Sequence, residues 1–143
     1  MIGELQIVAA ITAKLKTRYQ DIPVYTANTK EGFAKECFFI ETVDPKSSGE
    51  EMRETEMSVR VTYFPIGRYA MKRLWEVRAV LTELFLNVLK VTDDFFITYE
   101  EPLEFTYTAT GNLEMLMKLH YFEDSPEEDG DMLEELEVTV REE

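Results

Sequence analysis

Hydrophobic positions along this chain switch between a spacing of three to four and a spacing of two. Residues 2 to 19 place Ile2, Leu5, Val8, Ala9, Thr12, Leu15 and Tyr19 at helical spacing, with Lys14 and Arg18 on the other side, which predicts an amphipathic helix. Ile22-Pro23 ends it and opens a short strand over Val24 to Thr26; the proline favours an edge, because it cannot donate to a ladder. Asn28 to Gly32 has turn chemistry, and Glu36 to Val43, with Cys37-Phe38-Phe39-Ile40, reads as a central strand buried on both faces. Pro45 to Glu54 reads as an exposed loop or a long hairpin tip, and Thr55 to Phe64 alternates as a strand with one wet face.

After Pro65-Ile66-Gly67 the period becomes helical again from Ala70 to about Lys90. Lys72, Glu76, Glu83, Asn87 and Lys90 form a narrow polar stripe on an otherwise apolar helix. That breadth exceeds what one sheet can cover and asks for a second burial partner. Either the first helix and the acidic tail cover it, or part of it, around Trp75 and Leu86, meets a neighbouring subunit. Phe95 to Glu101 and Asn112 to Phe122 read as two further strands, with Leu103 to Thr108 in the same hairpin and Thr110-Gly111-Asn112 as the turn. Ser125 to Asp131 is a linker, and Leu136, Val138 and Val140 alternate as a final strand or short helix. The expected fold is α+β: a mostly antiparallel sheet of about four to six strands, flanked by an N-terminal helix and a long central helix. Residues 1–122 form the domain and 123–143 an acidic extension.

Composition supports a folded chain. Of 143 residues 45% are hydrophobic, with nine Phe, seven Tyr and one Trp, enough for one domain with a real core. The net charge is −14, and residues 123–143 hold eleven acids against one base, Arg141, leaving −4 for the rest. Nucleic-acid binding needs clustered Lys and Arg, and the sequence has no such cluster, so no specific nucleic-acid binding is expected. No run approaches the roughly 18 apolar residues of a membrane span, and Glu4, Gln6, Lys14 and Lys16 argue against a signal peptide. A single cysteine excludes an intrachain disulfide and fits a reducing site of synthesis.

Catalytic chemistry finds little support. His120 is the only histidine, with no Ser or Cys partner in a recognisable motif, and reads as an ordinary strand histidine. Cys37 sits in an apolar run where burial raises a thiol pKa. Glu50-Glu51, Asp93-Asp94 and Glu100-Glu101 read as solvated turns, and Glu127 to Asp131 lacks the spacing of a calcium loop. The six glycines are too dispersed for a phosphate loop. No catalytic residue, cofactor or metal is assigned, which leaves a function carried by surfaces.

The ordered set Ile22-Pro23-Val24-Tyr25, Gly32-Phe33, Cys37-Phe38-Phe39-Ile40 and Val59 to Pro65, ending Tyr63-Phe64-Pro65, together with the helix and strand order over about residues 2–122, resembles the tail terminator family of tailed bacteriophages and defective prophages. The chain departs from that pattern at Glu36, where a proline is common. The resemblance implies a structural, non-enzymatic subunit that forms a homohexameric ring on the tail tube, stops polymerisation and offers a docking face to the neck or head connector. It implies synthesis in the bacterial host cytoplasm, residence at the tail-neck junction, tube and neck proteins as partners, and DNA passing through the ring. The long polar segment Pro45 to Ser58 is then the candidate tube-contacting or lumen element, with Lys46, Ser47, Ser48 and Arg53, and Trp75 and Leu86 are candidate subunit-interface residues. Alternatives are a head-tail connector, or a small enzyme or ligand-binding domain with an aromatic pocket of Phe38, Tyr63, Trp75 and Phe95.

Overall fold

A computed structural model describes residues 2–26, 35–67 and 70–124. The expected Asn28–Gly32 turn lies outside the described residues. So do the linker and terminal strand or helix after Ser125.

Helix α1 spans Glu4–Lys16. Gly3 N–H donates to Gln6 Oε1 (2.9 Å) at its start, half of a capping box, and Thr17 Oγ1 donates to the Lys14 carbonyl at its end. Its buried stripe is Ile7, Ile11 and Leu15, an i, i+4, i+8 line. This corrects the expected face: Leu5 is 84% exposed, and Ile2, Val8 and Tyr19 pack only at the margin of the core.

The main sheet has five strands in the order β1-β2-β3-β7-β6. They are β1 Val24–Tyr25, β2 Cys37–Ser48, β3 Met52–Phe64, β6 Glu104–Tyr107 and β7 Leu113–Asp124. β1 lies at an edge and pairs parallel with β2; the other three pairings are antiparallel. The sheet is therefore mixed. Register places Phe38, Ile40, Val59, Val61, Tyr63, Leu113, Met115, Met117 and Leu119 in one buried layer. Both helices and a small hairpin contribute to the same core.

Of the two readings of Pro45 to Glu54, the long hairpin tip holds and the open loop does not. Lys46, Ser47 and Ser48 pair with Glu56, Thr55 and Glu54, so only Gly49, Glu50 and Glu51 remain as the turn. The register shifts between Val43 and Lys46, where Asp44 has φ 52°, a bulge that adds local twist. Gly49, at φ 103°, is required: a Cβ there would press on the Met52 carbonyl oxygen.

Helix α2 covers Ala70–Phe85 and stops short of Lys90. Val88–Thr92 is instead a strand, β4, paired with β5, Phe95–Thr98, in a separate two-stranded sheet. The long central helix is thus shorter than expected, and its breadth of apolar surface came from reading two elements as one. On α2 proper Leu74, Val77, Leu81 and Phe85 are buried, and Leu89 on β4 and Ile97 on β5 bury against the same core. The hairpin partner of β7 is β6, turning through Thr108 to Asn112, where Asn112 N–H donates to Thr108 Oγ1 (2.9 Å). β5 packs on the main sheet through Phe95, and just beyond it the Tyr99–Leu119 bridge and the Glu100 N–H to Lys118 carbonyl bond (2.8 Å) tie the chain to β7.

The corrected face of α1 has a direct consequence. Ile11→Ala is expected to lower stability by about 2–5 kcal/mol, as cavity-forming core truncations do, whereas Leu5→Ala should stay within about 0.5 kcal/mol of the parent. Urea unfolding of the two variants checks this; equal losses would refute the assigned face.

Candidate interaction surfaces

The sequence-derived site residues fall on two separate surfaces. Lys46, Ser47 and Ser48 are exposed on the distal half of β2, and Arg53, half-buried, lies at the start of β3 in register with Glu123 of β7. Ser47 and Thr55 share a hydroxyl hydrogen bond of 3.1 Å across the hairpin. These polar groups therefore ride on a paired ribbon whose direction is fixed by the ladder. Trp75 (59% exposed) lies on α2 and Leu86 (56%) immediately beyond its end. Trp75 shares the open side of the helix with Met71, while Leu86 continues toward exposed Val88 and Phe96 on the β4–β5 hairpin.

The proposed aromatic pocket does not form. Phe38 and Tyr63 are wholly buried and in contact (5.2 Å between ring centres), with Tyr19 at 5.4 Å from Phe38. Phe95 instead packs edge-on to Tyr121 at 5.6 Å, and Trp75 stands outside the core. Cys37 is buried, and burial followed by the Glu36 charge pushes its thiol pKa up, opposite to what a nucleophile needs.

One polar constellation anchors α2 to the sheet. Glu36, just before β2, accepts hydrogen bonds from the Tyr63 hydroxyl and from Arg73 Nε (2.9 Å), and Arg73 Nε also lies 3.1 Å from the Tyr63 oxygen. Arg73 stands over the Tyr19 ring at 5.7 Å. Burial, then the Glu36 carboxylate, raises the Tyr63 pKa; for Arg73, burial acts downward but the Glu36 and Tyr63 hydrogen bonds outweigh it. Residue 36, where the sequence departs from the family pattern, is thus the acceptor that ties β2, β3 and α2 together.

The sheet face turned away from the core carries charge. Arg60 pairs with Glu41 (3.2 Å), and Lys118 with Glu101 (2.9 Å) and Glu104 (3.8 Å). At the hairpin end His120 Nε2 lies 2.7 Å from Glu54 Oε2 and 4.0 Å from Glu56, while Nδ1 lies 3.9 Å from Glu100. Its pKa is raised, chiefly by the Glu54 hydrogen bond, with burial opposing and the three carboxylate charges adding. Sequence reasoning missed both constellations, since each joins residues far apart in the chain; the alternation of β3 and β7 was the available signal for the second.

A protein-family model described as phage tail terminator protein matches residues 6–131. The chain belongs to the phage tail terminator family. It is therefore a structural phage-tail protein whose role is tail assembly alongside other virion proteins. A solved structure of 19% sequence identity superposes with a TM-score of 0.52 over 87% of this chain and 97% of that one, a likeness of fold alone. No match was found among curated proteins. No described helix of this terminator is long and apolar enough to cross a membrane.

Two outcomes follow from these geometries. Glu36→Gln should cost about 1 kcal/mol, because it removes the charge from a pair that is partly screened by solvent. Thermal unfolding with and without added salt tests this, and a variant as stable as the parent at low salt refutes the anchor. His120 should titrate above about 6.5, the ordinary histidine value. Its contribution to stability is full below the unfolded-state pKa and disappears as pH rises through the higher folded-state value. NMR titration of the single imidazole reads the shift directly, and Glu54→Gln should lower it.

Proposed function

We propose that this chain closes the phage tail tube as a homohexameric ring, ends tube polymerisation, and presents a new outer face to the neck or head connector. The family match over residues 6–131 carries this reading. The physical logic is interface capping: a growing polymer end stays adhesive until a subunit occupies it while showing a different surface outward. Two surfaces suit the two tasks. The exposed apolar residues Trp75 and Leu86 are candidates for contact between copies, since aromatic and aliphatic anchors dominate subunit interfaces. The β2–β3 hairpin, bearing Lys46, Ser47, Ser48 and Arg53 on a paired ribbon, suits insertion against the tube or along the lumen.

Synthesis then takes place in the bacterial host cytoplasm, and the mature location is the tail-neck junction. An acidic surface lets the duplex pass the opening without adhering. No catalytic step is part of this reading.

Electron microscopy of particles made without this protein tests it. Overlong or headless tails are expected, and finished tails of normal length beside full heads would overturn the terminator assignment in favour of a connector. Trp75→Ala combined with Leu86→Ser should reduce ring formation on tails while leaving the monomer's thermal unfolding within about 0.5 kcal/mol of the parent, as exposed substitutions do. Replacing 46–53 by a tight turn should likewise disturb tail length, and normal tails from that variant would remove the role assigned to the hairpin.

A further inference from the structure

The carboxylates around His120 form a mixed nitrogen and oxygen donor set at the hairpin end of the polar sheet face. We propose that Glu54, Glu56 and His120 bind a divalent first-row transition cation, zinc fitting best. Glu54 and Glu56 are i, i+2 neighbours on β3 and so project to one face, and His120 is the direct cross-strand partner of Glu56 on β7. The strand ladder therefore sets all three donors on a rigid frame. One donor atom from each residue lies within 4.8 Å of the other two.

The spacing suits a small cation. Tetrahedral zinc, with nitrogen and oxygen ligands at about 2.0–2.2 Å, holds its donors about 3.3 Å apart. The Nε2 separations of 2.7 Å to Glu54 and 4.0 Å to Glu56 straddle that value, so small side-chain rotations reach it. In the metal-free chain Nε2–H donates to Glu54 at 2.7 Å, and a cation would displace that proton; the ring proton then moves to Nδ1, which has Glu100 Oε2 at 3.9 Å on the far side of the ring, an outer carboxylate of the kind that orients a ligating histidine. A cleft of about 280 Å³ lined by Lys46, Ser47, Ser48, Glu54 and Glu56 adjoins the donors and leaves room for a water as fourth ligand.

Donor chemistry selects among cations. Calcium and magnesium require six or more oxygen ligands in their shells, whereas one imidazole with two carboxylates suits zinc and its first-row neighbours. Two carboxylates and a neutral imidazole also match the charge of a divalent ion. Of the nearby cations, Lys118 is held by Glu101 and Glu104, while Lys46, the cross-strand partner of Glu56, lines the wall of the same cleft.

The chain has one histidine, so a ¹⁵N-labelled full-length sample gives one imidazole to follow. Added zinc should shift the His120 Nε2 resonance and saturate near one equivalent, while millimolar calcium or magnesium leaves it in place. Glu54→Gln and Glu56→Gln should each weaken zinc binding by about tenfold or more, the scale on which metal sites respond to lost partners. Glu50→Gln, an equal change of charge in the exposed turn outside the donor set, should bind as the parent does; this separates the site from diffuse attraction to the acidic segment 123–143. An Nε2 resonance unmoved by stoichiometric zinc, or the same affinity in both donor variants as in the parent, would overturn the proposal. Matching far-UV circular dichroism and thermal unfolding of the metal-free variants show that any loss of binding is not a loss of fold.

Discussion

Twelve consecutive pairs, from Met52↔Asp124 to Tyr63↔Leu113, lock β3 against β7, and this register fixes most of the remaining structure. Side chains alternate across a sheet, so a slip of one residue would exchange its two faces. In the observed register Thr55, Met57, Val59, Val61 and Tyr63 meet Tyr121, Leu119, Met117, Met115 and Leu113 on the covered side. The alternate positions, Glu54, Glu56, Ser58 and Arg60 against Phe122, His120, Lys118 and Leu116, fall on the other. Burying the second set would strand four charged side chains and a histidine, which water-to-protein transfer strongly disfavours. The helices, the β4–β5 hairpin and the N-terminus are fitted to the face so selected. Tyr121, at the end of that inward line, donates its hydroxyl to the Ile2 carbonyl (2.9 Å), and Glu123 accepts from Ile2 N–H, fastening the chain start to the last described strand.

How far the sequence disclosed this arrangement depends on whether the local signal and the tertiary outcome shared a period. Met117, Leu119 and Tyr121 alternate with polar neighbours and bury as their spacing says. The edge position of Val24–Tyr25 was legible from Pro23 for the same kind of reason: a missing N–H has one meaning wherever it occurs. Residues 86–92 behave otherwise. Leu86-Asn87-Val88-Leu89-Lys90 continues a helical spacing from Phe85, yet Leu89 buries as the second residue of a strand, with its neighbours Val88 and Lys90 exposed. Short apolar runs do not distinguish the two periods; pairing with Phe95–Thr98 supplies the decision, and that pairing is a tertiary fact.

The first helix shows a second way in which spacing underdetermines structure. Apolar residues on nearly every side of positions 2–15 permit several stripes. The structure selects Ile7, Ile11 and Leu15, which fit the gap beside β4 and α2, while leaving Leu5 outward. Candidate surfaces were correspondingly half legible. Lys46, Ser47 and Ser48 were identifiable as exposed, yet their fixed direction required the ladder with Glu54, Thr55 and Glu56. Trp75 was identifiable from the breadth of the apolar arc, and what remains exposed after β4 is subtracted is a smaller patch than the sequence suggested.

The polar constellations stand apart from both cases because their members are distant in sequence. Glu36 and Arg73 meet only because β2 and α2 flank Tyr63, and His120 meets Glu54 only through the β3–β7 register. Each is assembled by the fold at a place where a charged side chain faces partial burial, and each is satisfied by its neighbours. The two differ in what they can do. Around Tyr63 one carboxylate meets a hydroxyl and a guanidinium, so the group acts as a fastening. Around His120 three carboxylates converge on one imidazole, an excess of negative charge that a single proton neutralises only in part. Such an imbalance is mildly costly in an isolated subunit and becomes favourable once a cation enters it. A surface protein that works by contact can in that way carry a reactive-looking cluster without any reaction.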